Sequence, residues 1–513
     1  MNENLETCKL GALPVLSAII DKLNIEEIIN HSVTYDPEQC KLTPGTLAKS
    51  LILTIPVSRT ALYRVDEFYE NIDLKPIFGD GVTASDFNDD ALGRMLDKLH
   101  SAGLKKIYST IALFAYTQLN LDGSFLHFDT TSKSLYGLYE GDLRGNLEIS
   151  KGHSKDHRPD LKPIMFGVGI TKSGIPIYGE VLNGNTSDKT WNCDVLKHLE
   201  SELSNADISQ IRYVADSACV TEKNLEIIDE NGILVISRLP DTFNINDELK
   251  DRSLESNNWN AIGEFKENGA KYRTKSFPET LYGRKYRFIV CHSDHLEDRK
   301  RKSIEKNIKK EQKRLEKELK RYTKPDYYCR YDAKKALERV WSTKSEYHSL
   351  TGDIREKQVV KRKRGRPRKN EVLPTETRNP DKIKNAIQKA SMFILITNIS
   401  DSECSDEEIL KEYKEQSGIE RLFRVLKDPF FIDQFRIEAF GYMSVLEYII
   451  RRSLDDENEK PIQIPGKRKS KRPTARAILD VLDPITVIKT NGKTIKISIN
   501  SNQLRIIVYT KLR

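Results

Sequence analysis

Apolar residues recur three and four positions apart through the opening segment of the chain. Leu16, Ile19, Ile20 and Leu23 make one such stripe, and Leu92, Met95, Leu96 and Leu99 another, which is the spacing of amphipathic helices. Thr43-Pro44 reads as a helix start, with Thr as the cap and Pro as the first helical residue. Two short helices are expected there, Gly45 to Leu53 and Ser58 to Phe68. Such a pair either packs on itself or forms a helix-turn-helix unit that contacts DNA. The run Ser50 to Val57, interrupted by Pro56, fits a buried element.

The pattern changes near Gly123. Phe125-Leu126-His127-Phe128 predicts a strand ending at Asp129, and Ile164 to Ile170 is almost continuously apolar. After the Ser173-Gly174 turn comes Ile175 to Leu182. A helix follows at Asp194 to Leu203, a strand at Ile211 to Ala215 ending in Asp216, a helix at Glu222 to Glu230, and a strand at Ile233 to Leu239. Strands followed by helices and further buried strands predict a mixed α/β sheet. Between Pro240 and Lys389 the rhythm is lost. Tyr282 to Cys291 suggests a strand pair, Arg299 to Arg321 a charged helix with almost no apolar face, and residues 357–380 a basic loop. Sheet pattern returns at Met392 to Ile399, followed by one long helix from Asp406 to Lys427, and the tail alternates like strands at Thr494 to Ile499 and Leu504 to Tyr509. This is one domain interrupted by an insertion. The expected division is 1–118 helical, 119–240 and 391–452 the two parts of a core, 241–390 an inserted β-rich and basic domain, and 453–513 a C-terminal region.

Composition narrows the class. Lys and Arg outnumber Asp and Glu by 84 to 76, a small excess, so where the charge sits matters more than its total. The N-terminus lacks the pattern of a secretory signal, and no run approaches the roughly 20 apolar residues of a membrane span. The seven cysteines are scattered without a CxxC pair, which argues against a disulfide frame or zinc site. The expectation from these features is a soluble, cytoplasmic protein with no membrane partner.

Three carboxylates carry candidate chemistry. Asp129 and Asp216 each follow a strand, where an α/β sheet gathers functional side chains. Glu420 lies on a helix whose apolar stripe is Ile419, Leu422, Phe423 and Leu426. Tyr413, Gln416, Glu420 and Lys427 share a neighbouring stripe, placing Glu420 at the edge of the core. Hard oxygen ligands of this kind suit Mg²⁺ or Mn²⁺, and two such ions support phosphoryl transfer. Taken singly, Asp129 is compatible with capping a turn, Asp216 with capping a helix, and Glu420 with a surface pair to Arg424.

Basic segments add a second line. Lys361 to Lys369 has an Arg364-Gly365-Arg366-Pro367 centre resembling an AT-hook, whose arginines enter narrow minor grooves. Lys155 and Arg158, in Gly152 to Arg158, suit contact with a DNA backbone. His153 and His157 in the same loop lack further ligands at zinc spacing. Arg299 to Arg321 mixes Lys, Arg and Glu and reads as a solvated helix, and Trp259 and Trp341 read as core residues.

The stretches FDTTSKSLYG, GHSKDHRPDLKPIMFGVGITKSGIPIYGEVLNGNTSDKTWN, YVADSACVTEKNL and YKEQSGIERLFRVLKDPFF resemble the core of cut-and-paste DDE transposases of prokaryotic insertion sequences. The resemblance implies an α/β, RNase H-like mixed sheet split by a large β-rich insertion, with a helical N-terminal DNA-binding region. It implies Asp129, Asp216 and Glu420 as catalytic and metal-binding residues with two Mg²⁺ or Mn²⁺ ions, and Tyr413, Gln416 and Lys427 as DNA-binding companions. Gln416 stands where the family signature has Arg, and the apolar helix Phe440 to Ile450 is shorter than the family's. The implied reaction is metal-dependent cleavage at inverted-repeat transposon ends and 3′-hydroxyl strand transfer into target DNA, by a homodimer on paired ends. The alternatives are a relic that only binds DNA, and a nuclease without strand transfer.

Overall fold

The computed structural model describes residues 5–58, 60–135, 160–202, 211–256, 258–266, 268–323, 327, 329–357, 369–427, 439, 442, 444–445, 449, 474–490, 493–500, 503–504 and 506–507. The chain folds as two units, Met1–Ile236 with Glu412–Arg513, and Ser237–Lys411.

The first unit opens with strand β1 (Leu5–Lys9) and helices α1 (Leu13–Lys22), α2 (Ile25–Ser32), α3 (Pro44–Val57), α4 (Val65–Tyr69), α5 (Lys75–Phe78), α6 (Asp89–Ala102) and α7 (Leu104–Gln118). The expected stripes are buried, Leu16, Ile20, Leu23, Leu92, Leu96 and Leu99 all the way. Thr43 does cap α3, its hydroxyl accepting the Thr46 N–H at 3.1 Å. The helix-turn-helix expectation is corrected, because α3 runs through Pro56 to Val57 and its neighbour is only a 3₁₀ turn followed by the short α4. Helix α3 is also buried from Pro44 to Pro56 at every position but Thr46, so it has no continuous polar face to offer a DNA groove. Its one charged residue, Lys49, is 5% exposed and is neutralised by Asp21 at 2.7 Å and Glu26 at 3.5 Å. Gly45 lets α3 touch α2, since a Cβ there would stand 2.3 Å from the Glu26 carbonyl oxygen.

The α/β part follows as β2 (Phe125–Leu135), β3 (Lys162–Thr171), β4 (Pro176–Asn183), α8 (Asp188–Glu202), β5 (Arg212–Ala215), α9 (Glu222–Glu230) and β6 (Leu234–Arg238). These strands lie in the order β4-β3-β2-β5-β6. The pairs β4–β3 and β3–β2 are antiparallel, and β2–β5 is parallel, so the sheet is mixed, as the order of elements predicts. Strand β2 continues six residues past Asp129, which puts that residue inside the strand and not at its end. The polar run Thr130-Thr131-Ser132-Lys133 hides this continuation in the sequence, yet all four residues are buried.

In the second unit come α10 (Asn244–Glu255), β7 (Asn260–Glu264), β8 (Lys271–Leu281), β9 (Arg284–Ser293), α11 (Asp294–Thr323), α12 (Arg330–Trp341), β10 (His348–Lys357), β11 (Lys369–Arg378), α13 (Pro380–Ala390) and β12 (Met392–Thr397). The order β12-β9-β8-β7 is antiparallel throughout. The β8–β9 hairpin turns at Tyr282-Gly283, both at positive φ (49° and 78°), the pairing that suits a two-residue turn between twisted strands. Residues 357–380 are not simply loop, because β11 pairs antiparallel with β10. Only Val372 of β11 is fully buried, against Ala333, Ala336 and Leu337, too thin a signal for a strand to be legible. Helix α11 does have an apolar face, with Ile304, Ile308, Leu315 and Leu319 buried along one side. Trp341 is 52% exposed and so is not a core residue. Trp259 is half-buried, with the Arg273 guanidinium 4.8 Å from its ring centre.

Helix α14 (Asp406–Lys414) leads back to the first unit, which closes with α15 (Ser417–Lys427), α16 (Ala475–Leu482), β13 (Thr486–Thr490) and β14 (Lys493–Ser498). The single helix expected over Asp406 to Lys427 is therefore two. At the joint the Glu415, Gly418 and Ile419 N–H groups bond carbonyls three residues back, a tightened turn that redirects the chain. Gly418 sits there against Ile170, whose Cδ1 would be 3.0 Å from a Cβ. Strands β1, β13 and β14 form an antiparallel sheet. Gln503, Leu504, Ile506 and Ile507 are helical, correcting the strand expected from Leu504. Of the expected helix Phe440 to Ile450, only Tyr442, Ser444, Val445 and Ile449 are described, all helical and buried. No helix among the described residues is long and apolar enough to cross a membrane.

Candidate active site

Successive side chains of β2 point to opposite faces. Leu126, Phe128, Thr130 and Ser132 share one face, and His127, Asp129, Thr131 and Lys133 the other. The first face is closed by aromatic packing. Phe128 stacks on Tyr213 at 4.3 Å and leans on Tyr178 and Trp191. Glycines on β3 make room for these rings, since a Cβ at Gly167 would fall 2.3 Å from Trp191 and one at Gly169 2.5 Å from Phe128. Asp188, at the start of α8, receives the Thr130 hydroxyl on this side. Burial drives the Tyr213 hydroxyl well above its ordinary pKa, so it stays a neutral donor to Asn192.

The second face carries Asp129. The parallel register pairs Phe128 with Ala215, so Asp129 and Asp216 follow one step later on adjacent strands. Both are half-buried. Asp129 accepts the Thr130 N–H at 2.7 Å, and Asp216 accepts the Ala218 N–H at 3.0 Å, capping a 3₁₀ turn. The next helix, α9, has its own cap in Thr221, so Asp216 is not needed for that purpose.

Helix α15 lies along the same face of the sheet. Its Ile419, Leu422 and Leu426 are buried, as the apolar stripe predicts, in one core with Ile164, Phe166, Val168 and Ile170 of β3. One polar link ties it to β2, and a second ties the preceding helix α14 to the same strand. Lys133, 6% exposed, donates to the Leu426 carbonyl at 3.1 Å. At the other end His127 faces Glu412, with Nε2 and Oε2 3.9 Å apart, and Glu412 also receives Lys172. Burial, reinforced by the Lys172 charge, pushes His127 down to about 4, so the ring is neutral. Burial opposes charge on Lys172 too, but the hydrogen bond and negative charge of Glu412 outweigh it and raise its pKa.

Glu420 lies between these two links in sequence and is exposed, where an edge position was expected. The helix break takes Tyr413 off the regular stripe with Glu420. Tyr413 is on α14, Gln416 in the joint, and Lys427 is the last residue of α15, all three half-buried. The arrangement thus sets two acids side by side with a third on the helix above. Among the described residues, no three acidic, His or Cys side chains stand close enough to hold a metal ion. Lys155 and Arg158, within 136–159, and Arg364 and Arg366, within 358–368, lie outside the described residues. Lys133 escapes any reading that ends the strand at Asp129; the alternation, continued through Thr131, leads to it.

A transposase DDE domain family matches residues 150–441, more than half of the chain, and a domain of unknown function, DUF4277, matches residues 5–113. No curated protein matches the sequence. Among solved structures, the cryo-EM structure of a piggyBac transposase synaptic complex with hairpin DNA shares 10% identity, over 85% of this chain and 72% of that one, with a TM-score of 0.37. A likeness that loose carries no argument about this chain.

Proposed function

The chain belongs to the transposase DDE domain family, and on that premise we propose that it cuts DNA at transposon ends and joins the freed ends to a target. The observation that supports this reading is the parallel register of β2 and β5, whose last pair, Phe128 with Ala215, is followed on each segment by an acid, Asp129 and Asp216. The order β4-β3-β2-β5-β6 supports an RNase H-like core, with residues 119–240 and 391–452 as its two parts and 241–390 as the insertion. All three acids offer the oxygen that a hard divalent cation takes, although in this structure the three do not stand close enough together to hold one. Asp129 and Asp216 would hold Mg²⁺ or Mn²⁺, with Glu420 as the third ligand. When bound, such ions activate the attacking oxygen and offset charge on the leaving one.

The chain's own residues do the rest by positioning. Lys133 holds the Glu420 helix on the Asp129 strand, and the Glu412 cluster holds the helix before it. Lys427, with Gln416 and Tyr413, offers donors to phosphate oxygens. Water first displaces the 3′ oxygen of the phosphodiester, leaving a 3′-hydroxyl and a 5′-phosphate. That hydroxyl then attacks a target phosphodiester, so one bond forms for each that breaks. A homodimer on paired inverted-repeat ends, associated with the nucleoid, completes the reading.

The test is nicking of a labelled duplex carrying the element's flanking ends, with Mg²⁺ or Mn²⁺. Wild type is expected to nick, and Asp129→Ala, Asp216→Ala and Glu420→Ala to lose at least about 10³-fold in rate. Binding without nicking by wild type would overturn the enzyme reading and favour a DNA-binding relic. Nicking without joining would favour the nuclease.

A further inference from the structure

Helix α11 segregates its charges. Its buried side is Ile304, Ile308, Leu315 and Leu319, and Ile304 and Ile308 pack with Tyr347 and Ile387. At about 100° per residue, the arc opposite that side holds Lys302, Lys306, Lys309, Lys313, Lys317 and Lys320. All six are exposed, and no Asp or Glu of the helix falls within this quarter of its circumference. Spaced three and four residues apart, they form one straight ridge about 27 Å long.

Four acids of α11 are engaged away from the ridge, while Asp298 and Glu316 are exposed about 20° outside its edge. Glu305 pairs with Arg378 at 3.2 Å, Glu318 with Arg314 at 3.3 Å, Glu297 with Arg301 at 3.0 Å, and Glu311 with His348 at 2.9 Å. None of the six lysines has a carboxylate partner among the described residues. A merely solvated helix gains by alternating signs at i, i+4, whereas like charges at that spacing destabilise it by a few tenths of a kcal/mol per pair. Lys302–Lys306, Lys309–Lys313 and Lys313–Lys317 run against that preference, while Asp298–Lys302, Glu305–Lys309 and Glu316–Lys320 follow it.

We infer that the outer face of α11 is a docking surface for the phosphate backbone of duplex DNA. Duplex DNA presents a negative charge about every 1.7 Å of its axis, so a straight row of ammonium groups meets phosphates along its whole length. Lysine suits this role because a flexible point charge follows a backbone without reading bases. The ridge therefore contributes affinity and orientation, not sequence choice. The inference rests on the reading that the substrate is DNA, and it assigns the grip to a helix remote in sequence from the three acids.

The experiment uses the full chain without metal and follows binding of a labelled duplex of arbitrary sequence by anisotropy across a salt series. The variant Lys306→Gln/Lys309→Gln/Lys313→Gln/Lys317→Gln is expected to lower the slope of log Kd against log salt by about three to four, roughly 0.9 for each phosphate that is no longer neutralised. The matching Lys→Arg variant should keep the wild-type slope. Should the quadruple variant unfold, Lys306→Gln/Lys313→Gln is read instead, with a drop of about two. An unchanged slope overturns the inference. So does a loss confined to single-stranded RNA or to phosphatidylserine vesicles, which would assign the ridge to those partners. Asp129→Ala is expected to keep the full slope while losing nicking, so failure of the enzyme reading is seen separately.

Discussion

Helices α3 and α11 solve opposite problems. Helix α3 is apolar almost all round, with a single charge, and all but Thr46 and Val57 of its residues are buried. Helix α11 has one apolar stripe, and the remainder of its 30 residues is densely charged. By sequence alone, the α3 region is a candidate for touching DNA and α11 a solvated helix; the fold gives α3 no surface to touch with and α11 an unbroken cationic one. The difference teaches that a helix contacts a partner through whatever its own domain leaves uncovered, and composition alone does not say which face that is.

The comparison breaks most visibly in the core of α3. Leu51 is fully buried, so Leu51→Ala is expected to cost about 2–5 kcal/mol, read as a lowered denaturant midpoint. A smaller loss would mean that α3 is less enclosed than its burial implies.

A middle-sized effect is expected where α11 is pinned by a charge. Glu311 accepts the N–H groups of Glu346 at 2.7 Å and Tyr347 at 2.9 Å, and it faces His348 Nδ1 at 2.9 Å. Burial works against its ionisation, but these bonds outweigh it and hold its pKa below the ordinary 4.5. A depressed acid stabilises the fold fully above its unfolded value and loses that contribution as pH falls through the folded one. Glu311→Gln should therefore cost about 1–3 kcal/mol at neutral pH, with the difference from wild type shrinking in acid. A difference that stays constant below pH 4.5 would show that the charge is not what pins the helix.

The smallest effect sharpens the contrast. Lys313→Gln on the outer face should change stability by less than about 0.5 kcal/mol, with the sign toward stabilisation as like-charge repulsion is relieved. A loss of stability larger than that in thermal melts would give the ridge a structural role.

The local elements of the first unit are largely legible in the sequence. Helix α9 occupies the expected residues Glu222–Glu230, Asp216 follows its strand, and Ile419, Leu422 and Leu426 are buried as their spacing predicts. These signals are local, arising from side chains a few residues apart on one element. Where apolar content is thin, the signal fails. Strand β11 buries only Val372 fully, the end of β2 is Thr, Ser and Lys, and the stripe of α11 is diluted by the charged residues between its apolar positions.

What the sequence by itself determined is the family, the three acids as candidates, and the alternation of strand and helix that makes a mixed sheet. Only the tertiary structure decided that Asp129 lies inside its strand beside Asp216, because the register between β2 and β5 joins residues far apart in the chain. It alone broke the Glu420 helix at Gln416, in a tightened turn where Gly418 comes close to Ile170. And it alone chose which side of α11 meets solvent, since burial is a property of the neighbours that pack on a helix and not of the helix itself.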